Sequence, residues 1–129
     1  MDGLAHDVVA ALSQPYDVKL TPGGGVVIAE GFGHVVRTVS LPSGLINDTA
    51  GNRAQAATGD GGPATAASIN GPVSLSYDAS GNLLIADYAG PSSMIRRVAA
   101  SNGVITTVAG TGVAGFSGDG GPATAAKLS

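Results

Sequence analysis

Residues 59–67 read Gly59-Asp60-Gly61-Gly62-Pro63-Ala64-Thr65-Ala66-Ala67, and residues 118–126 repeat them as Gly118-Asp119-Gly120-Gly121-Pro122-Ala123-Thr124-Ala125-Ala126. The two copies lie 59 positions apart, so the chain is a tandem repeat. A repeat of this length is typical of solenoids and propellers, in which each unit buries its core against its neighbours.

A third, degenerate copy of this segment is predicted at the start of the chain. Ala10-Ala11-Leu12-Ser13 precedes Gln14-Pro15, as Ala67-Ser68-Ile69-Asn70 precedes Gly71-Pro72. The alternative interpretation is an ordinary N-terminal helical turn, because the ends of domains are often poorly ordered.

Between these copies, each unit contains four short apolar segments that are separated by turns. The predicted strands are 16–20, 26–30, 35–40 and 45–50 in the first unit, and 73–77, 83–87, 94–99 and 104–109 in the second. Asp78 and Gly81 suit a hairpin turn, since Asp bonds its own backbone and Gly accepts a positive φ. The second unit has two extra residues around Pro91-Ser92-Ser93. Matching positions of the two units are therefore 57 residues apart before this insertion and 59 residues apart after it.

Several of these strands are apolar on both faces. Leu83-Leu84-Ile85-Ala86 has no polar position, and Ile95 and Val98 lie on opposite faces of one strand. A single antiparallel meander would keep one face wet, whereas stacked four-stranded blades bury both. A β-sandwich also buries inner faces, but it does not predict a four-strand period with a fixed connector. We therefore predict an all-β fold of about two β-propeller blades, incomplete as a single chain.

The predicted division of the chain follows the repeat. It comprises an N-terminal connector (1–13), a first blade (14–58), a middle connector (59–70), a second blade (71–117) and a C-terminal connector to a next blade (118–129). In the middle connector we predict one helical turn over 64–67, with Pro63 at its first position and Asp60 or Gly62 as its cap.

Composition excludes several classes of function. The 129 residues are 43% hydrophobic and 12% charged, which predicts a buried core. The net charge is −3 and the six basic residues are scattered, so a nucleic-acid partner is not expected. The chain has no Cys, and its apolar runs are too short to cross a membrane. Nothing in the sequence indicates a compartment.

The repeat units resemble NHL repeats. The resemblance rests, in the second unit, on residues 59–72, on 78–87 (Asp78-Ala79-Ser80-Gly81-Asn82-Leu83-Leu84-Ile85-Ala86-Asp87), on 95–98 (Ile95-Arg96-Arg97-Val98) and on 103–110. The first unit matches more loosely, through 26–30 and Val36-Arg37-Thr38-Val39. The resemblance implies blades of a propeller, commonly six-bladed, that serves protein contacts, ligand binding or adhesion, with a few metal-dependent enzymes among related propellers. The Arg that often precedes the third-strand Ile is replaced by Met94 and Val35 here.

The candidate site residues are one carboxylate and one arginine per blade. Glu30 and Asp87 occupy matching positions at the end of one strand, and Arg37 and Arg96 match on the next strand. One interpretation places them in a ring around the central channel, where they contact a ligand. The other is a structural ion pair or hydrogen-bonded strand end, which architecture repeats in every blade.

The other motifs do not indicate a catalytic, cofactor or metal site. Asp60 and Asp119 supply one carboxylate per loop, far short of the ligands that Ca²⁺ needs, and are expected in turns or caps. Residues 110–115 fit a dinucleotide pattern but are followed by no helix. His6 and His34 lack a metal-binding partner motif, and His34 is expected in a solvent-exposed or capping role. No Gly-x-Ser-x-Gly elbow exists, so we predict that the chain is not an enzyme and binds no cofactor.

The predicted function is a non-enzymatic scaffold or binding module that is a building block or fragment of a propeller. The alternatives are a part of a propeller enzyme whose site other blades complete, and a truncated remnant without independent function. Closed propellers have about four to eight blades. The expected partners are therefore a protein or further blades, and three copies of this chain would give six blades.

Overall fold

The computed structural model describes residues 11–89 and 92–129, and the predicted third copy in residues 1–10 and His6 lie outside them. Within these ranges, eight strands and two short 3₁₀ turns follow one another. The strands are β1 (Pro15–Leu20), β2 (Val26–Glu30), β3 (Val35–Val39), β4 (Ile46–Ala50), β5 (Pro72–Tyr77), β6 (Leu83–Ala89), β7 (Ser92–Val98) and β8 (Ile105–Ala109). The 3₁₀ turns are Ala64–Ala66 and Ala123–Ala125.

The strands form two four-stranded antiparallel sheets. The strand order is β1-β2-β3-β4 in the first sheet and β5-β6-β7-β8 in the second. All eight predicted strands are confirmed, although β6 ends two residues later than predicted and β7 begins two residues earlier. The all-β fold class is confirmed as two blades of the propeller type, which do not by themselves close a ring.

The turn between β5 and β6 follows the predicted chemistry. One carboxylate oxygen of Asp78 accepts hydrogen bonds from the backbone N–H groups of Ser80 and Asn82, both at 2.9 Å. Gly81 has a φ of +83°, in the left-handed region that favours glycine. The predicted roles of Asp78 and Gly81 in this hairpin are therefore confirmed.

The core lies between the two sheets. It is one continuous cluster that takes residues from a face of each sheet and from the middle connector between them. The cluster contains Val27, Ala29, Val36 and Ala50 of the first sheet, Ala64, Ala67 and Ile69 of the connector, and Leu75, Leu83, Ile85, Val98 and Ile105 of the second sheet. Ile69 is fully buried, so the connector is a part of the core and not only a link.

The middle connector joins the outermost strands of the two sheets through its backbone. Its Ala64 carbonyl accepts a hydrogen bond from Gly51 N–H, directly after β4, at 2.9 Å. On the other side, Gly61 N–H donates to the Ile105 carbonyl of β8 at 2.8 Å, and Ile105 N–H donates to the Gly62 carbonyl at 3.1 Å. These bonds fix the second sheet relative to the first.

The predicted cap of the connector turn is wrong. Ala66 N–H donates to the Pro63 carbonyl, so Pro63 precedes the turn as its cap and is extended, with φ −60° and ψ 136°. No side chain caps the turn, and neither Asp60 nor Gly62 has this role. The predicted helical turn itself is confirmed as 3₁₀, from Ala64 to Ala66.

Gly59 is required at its position by a close approach of the backbone. It has a φ of +93°, and a Cβ there would lie 2.7 Å from the Cα of Ala67. Gly118 repeats this geometry with a φ of +94° and the same distance to Ala126. The glycine that begins the repeated motif is therefore used to fold the connector back on itself.

Candidate functional site

The side chain of Arg96 is the centre of the contact between the middle connector and the second sheet, which we call the joint of the second blade. It is completely buried on β7, and its guanidinium reaches back to the middle connector. One terminal nitrogen, Nη1, donates to the Ser68 carbonyl at 2.7 Å. The other, Nη2, donates to the Thr58 carbonyl at 2.9 Å and to the Asp60 carboxylate at 2.8 Å. The arginine thus holds both ends of the connector against the second sheet.

Asp87 holds the start of β5 from the end of β6. Its Oδ1 accepts hydrogen bonds from Asn70 N–H at 3.0 Å and Gly71 N–H at 2.8 Å, and its Oδ2 lies 3.7 Å from Arg96 Nη1. Burial raises the pKa of Asp87, and this outweighs the opposite effects of the two N–H groups and the nearby arginine. Asp87 is 3% exposed, so its carboxylate contacts groups inside the protein and not the solvent.

Asp60 lies at the rim of the same joint and is more exposed. Its Oδ1 accepts from Arg96, and its Oδ2 accepts from the Thr107 hydroxyl at 2.5 Å. Burial acts to raise the pKa of Asp60, but the hydrogen bonds from Thr107 and Arg96 outweigh it and the net pKa is lowered. Sequence analysis placed Asp60 in a turn or cap and missed Arg96 as its partner, although both residues belong to the repeated pattern.

The lowered pKa of Asp60 predicts a loss of stability in acid. Because the folded pKa lies below the ordinary value of 3.8, the ionised carboxylate stabilises the fold above that value and stops doing so as pH falls through the folded pKa. We expect Asp60→Asn to be less stable than the natural chain at pH 7 and the difference to shrink toward pH 3. Urea unfolding of the dilute chain at several pH values measures it.

Asp119→Asn is the matched control for this experiment, since Asp119 occupies the same place in the next copy of the motif. Asp119 accepts no hydrogen bond from a side chain or backbone group in residues 11–89 and 92–129. We expect its substitution to leave the unfolding curve of the dilute chain unchanged. A difference for Asp60→Asn that stays constant with pH would contradict the role of its charge.

The first blade has a matching but looser joint. Glu30, which is 2% exposed, accepts from Ser13 N–H at 2.7 Å and lies 3.4 Å from Arg37 Nη1. Arg37 Nη1 also donates to the Ala11 carbonyl at 2.8 Å. Ser13 and Ala11 match Asn70 and Ser68 in the repeat. The carboxylate and the arginine of the first blade therefore bond the same two connector positions as Asp87 and Arg96 do in the second blade.

A second ion pair extends this joint toward solvent. Asp48 on β4 lies opposite Arg37 and accepts two hydrogen bonds from the guanidinium of Arg53. The hydrogen bonds and charge of Arg53 hold the pKa of Asp48 below its ordinary value. Asp48 stands where Thr107 stands in the second blade, so the two joints differ in charge.

The four predicted site residues therefore form two separate pairs, one per blade. Glu30 with Arg37, and Asp87 with Arg96, each bind connector backbone, and no hydrogen bond or ion pair joins the two pairs within the described part of the chain. The side chains of Glu30, Asp87 and Arg96 are at most 3% exposed, and that of Arg37 is 14% exposed. A position around a channel stays a prediction, because two blades do not enclose an axis.

A cavity of about 430 Å³ lies at the C-terminal connector. It is lined by Phe116, Ser117, Gly118, Asp119, Lys127 and Leu128. These residues match, one by one, residues 57–60, 68 and 69, which include the acceptors of Arg96 in the middle connector. The cavity is therefore the repeat counterpart of the place that Arg96 fills.

An exposed aromatic pair lies at the start of β1. The rings of Tyr16 and Phe32 meet edge to face with centroids 6.2 Å apart, and the residues are 51% and 63% exposed. A Cβ on Gly31 would lie 2.0 Å from Tyr16 Cε2, so the tyrosine ring lies directly over this glycine. The sequence did not predict this pair. Its only signal was two of five Tyr and Phe residues flanking a glycine-rich loop.

His34 links the two repeat units. Its Nδ1 lies 2.5 Å from the Asn70 carbonyl oxygen, which can only accept, so the ring nitrogen is the donor. The side chain is half-buried rather than free in solvent, in the loop between β2 and β3. Across residues 11–89 and 92–129 no group of three or more His, Asp or Glu side chains could hold a metal ion. The same residues include no helix that is long and apolar enough to span a membrane.

Comparisons with known proteins support the fold. No family model and no curated protein matches the chain. Among solved structures, the chain is similar to a structural genomics protein of unknown function from Bacteroides thetaiotaomicron, with a TM-score of 0.75 and 22% identity. The match covers 95% of this chain but only 30% of that chain. At this identity the likeness shows the shared fold alone.

Proposed function

We propose that the chain is a non-enzymatic scaffold and binding module, built from two NHL-type blades that form part of a β-propeller. The observation that carries the proposal is the placement of the charged side chains. Asp87 and Arg96 are used inside the blade joint, where their hydrogen bonds go to connector backbone and to Asp60. Groups committed in this way hold blades together and are not available to bind or transform a substrate.

The contact surface of this module is the exposed aromatic pair of Tyr16 and Phe32. Tyrosine and phenylalanine supply large contact areas with little conformational entropy to lose, which is why aromatic residues are enriched in protein interfaces. Tyr16 is held in place by the close approach to Gly31 and by a 3.2 Å hydrogen bond from its hydroxyl to Gln14. The partner is therefore expected to be a peptide segment with apolar or aromatic side chains.

Panning a random heptapeptide display library on the full chain tests this proposal. We expect enriched peptides that bind with micromolar dissociation constants and that bind the Tyr16→Ser, Phe32→Ser variant about tenfold or more weakly. Both side chains are exposed, so the fold should survive the substitutions.

Leu41→Ser is the matched control, because Leu41 is 55% exposed but follows β3, whereas Phe32 precedes this strand. It should leave peptide affinity unchanged. Failure to enrich peptides, or equal loss in the control, would count against this surface.

The two alternative functions are tested on the same protein. A stoichiometric divalent metal, measured by elemental analysis, would favour the enzyme alternative. The absence of a cooperative unfolding transition would favour the remnant alternative.

A further inference from the structure

We infer that the cavity at the C-terminal connector binds the Arg37 guanidinium of a second copy of this chain, so that the second sheet of one copy stacks on the first sheet of the next. The inference rests on the propeller-building part of the proposed function and deepens it by naming the partner and the contact. It follows from comparing the closed joint between the two blades with unpaired groups on the outer faces of the two sheets and on the C-terminal connector.

The cavity has the acceptors that an arginine needs. Around Arg96 these are the Thr58 carbonyl, the Ser68 carbonyl and the Asp60 carboxylate. Their counterparts at the cavity are Ser117, Lys127 and Asp119, and the pairing of Ser117 with Lys127 repeats that of Thr58 with Ser68. Asp119 has no described partner within its own chain.

Arg37 is the arginine that fits this place, because it is the repeat counterpart of Arg96. Its Nη1 is already bonded to the Ala11 carbonyl, as Arg96 Nη1 is bonded to Ser68. Its Nη2 makes no hydrogen bond to the described residues, whereas Arg96 Nη2 bonds both Thr58 and Asp60. In a second copy, Ser117 and Asp119 would supply these two missing acceptors.

The first sheet has an apolar face that residues 11–89 and 92–129 do not cover. Cross-strand pairing places Val18 beside Ile28, Leu20 beside Val26, and Val26 beside Val39, all on one face. Val18 is 58% exposed and Leu20 is 75% exposed. Their counterparts in the second sheet, Leu75 and Tyr77, lie in or against the core between the blades, where Leu75 is 2% exposed.

The second sheet presents the complementary face. Ala86, Ile95 and Ala109 are cross-strand neighbours, and they match Ala29, Val36 and Ala50, which are completely buried in the core of the chain. In the second sheet all three are only partly buried. One copy therefore carries both halves of the contact that already exists between its blades.

The backbone of the C-terminal connector is also half paired. Gly110 N–H donates to the Ala123 carbonyl, as Gly51 N–H does to Ala64. On its outer side the middle connector bonds Gly103 and Ile105 of the second sheet, through Ala64 N–H, Gly61 N–H and the Gly62 carbonyl. The equivalent groups for a second copy are Gly120, Gly121 and Ala123 on the connector, and Gly44 and Ile46 at the edge of β4.

The formal charges of the internal joint and of the joint between copies differ by one unit. The internal joint contains one cation, Arg96, and two carboxylates, Asp60 and Asp87, which gives a formal charge of −1. The joint between copies would contain Arg37, Arg53 and Lys127 with Glu30, Asp48 and Asp119. Three cations and three carboxylates give a formal charge of 0, and Arg53 compensates for Asp48 at the place of Thr107.

Among the described residues, the end of the connector is the part that must adjust. Residues 127–129 of one copy and residues 11–13 of the next match the same residues, 68–70, of the middle connector. They are alternative occupants of one place, and one of the two moves aside when copies associate. A head-to-tail contact gives a ring when its rotation closes, and three copies would supply six blades, within the range of closed propellers.

Three substitutions test the contact in the full chain. Ala123→Pro removes the N–H that would bond Gly44, yet suits its own chain because Ala123 follows an extended Pro122 with ψ 135°. Asp119→Lys places a cation against Arg37, and Val18→Asp places a charge on the apolar face. The control is Ser101→Asp, an exposed hairpin position that is outside the contact.

Light scattering over a dilution series measures the result. We expect the natural chain and Ser101→Asp to form a discrete species of three chains, and each of the other variants to require about tenfold or more protein to associate. A natural chain that stays monomeric at all concentrations would overturn the inference, as would association that the three substitutions do not weaken. Peptide binding through Tyr16 and Phe32 is measured separately, so either proposal can fail alone.

Discussion

Replacing Arg96 with Met is expected to lower the free energy of unfolding by about 3–5 kcal/mol, the cost of removing one partner from a buried charge network. The substitution leaves Asp87 buried without its cation and removes the guanidinium donor from the carbonyls of Ser68 and Thr58, which keep only the N–H of each other. Methionine retains the unbranched apolar stem of arginine and lacks only the guanidinium end, so the loss should arise mainly from charge and hydrogen bonding. Urea unfolding followed by circular dichroism gives the value.

The neighbouring residue offers a matched control. Arg97 has a side chain that is 41% exposed and lies 4.0 Å from Asp78, so Arg97→Met should cost less than about 1 kcal/mol, as exposed ion pairs do. Equal effects of the two substitutions would show that the interior joint is not what stabilises the fold.

The second large effect is expected for Ile85→Ala. Ile85 is fully buried between the sheets, and truncation of a buried isoleucine costs about 2–5 kcal/mol through lost burial and the cavity that is left. Ile28 occupies the same position in the first sheet but on the uncovered face. Ile28→Ala is therefore expected to cost less than half as much in the dilute chain, measured by the same unfolding experiment.

This pair of variants also reports on coverage of the first sheet. If a second copy covers that face, the cost of Ile28→Ala should increase with protein concentration, whereas that of Ile85→Ala should not. If both variants lose similar amounts of unfolding free energy in a monomeric sample, the face of the first sheet that carries Ile28 is not exposed.

The strands could be predicted from sequence because their signals are local. Apolar segments bounded by glycine and proline fixed all eight strands, and Asp78 with Gly81 fixed a turn within four residues. The repeat of residues 59–67 at 118–126 then indicated that the two units share one plan. Each of these inferences compares residues that are close in the chain, or compares one copy with the other.

The contacts of the candidate site could not be predicted in the same way. Arg96 bonds Asp60, which precedes it by 36 residues, and this contact depends on how one sheet stacks on another. The sequence paired Arg96 with Asp87 by position, but the nearer carboxylate is that of Asp60. The edge-to-face contact of Tyr16 with Phe32 likewise depends on the path of the loop over Gly31.

The order of the strands along the chain has a consequence for synthesis on the ribosome. Within each sheet every strand pairs with its neighbour in sequence, so a sheet can form as its residues emerge. The joint cannot, because Asp60 and the Thr58 carbonyl are made 36 and 38 residues before Arg96. These acceptors remain hydrated until the third strand of the next blade has been made, and Asp60 gains Thr107 as its second partner only when the fourth strand follows.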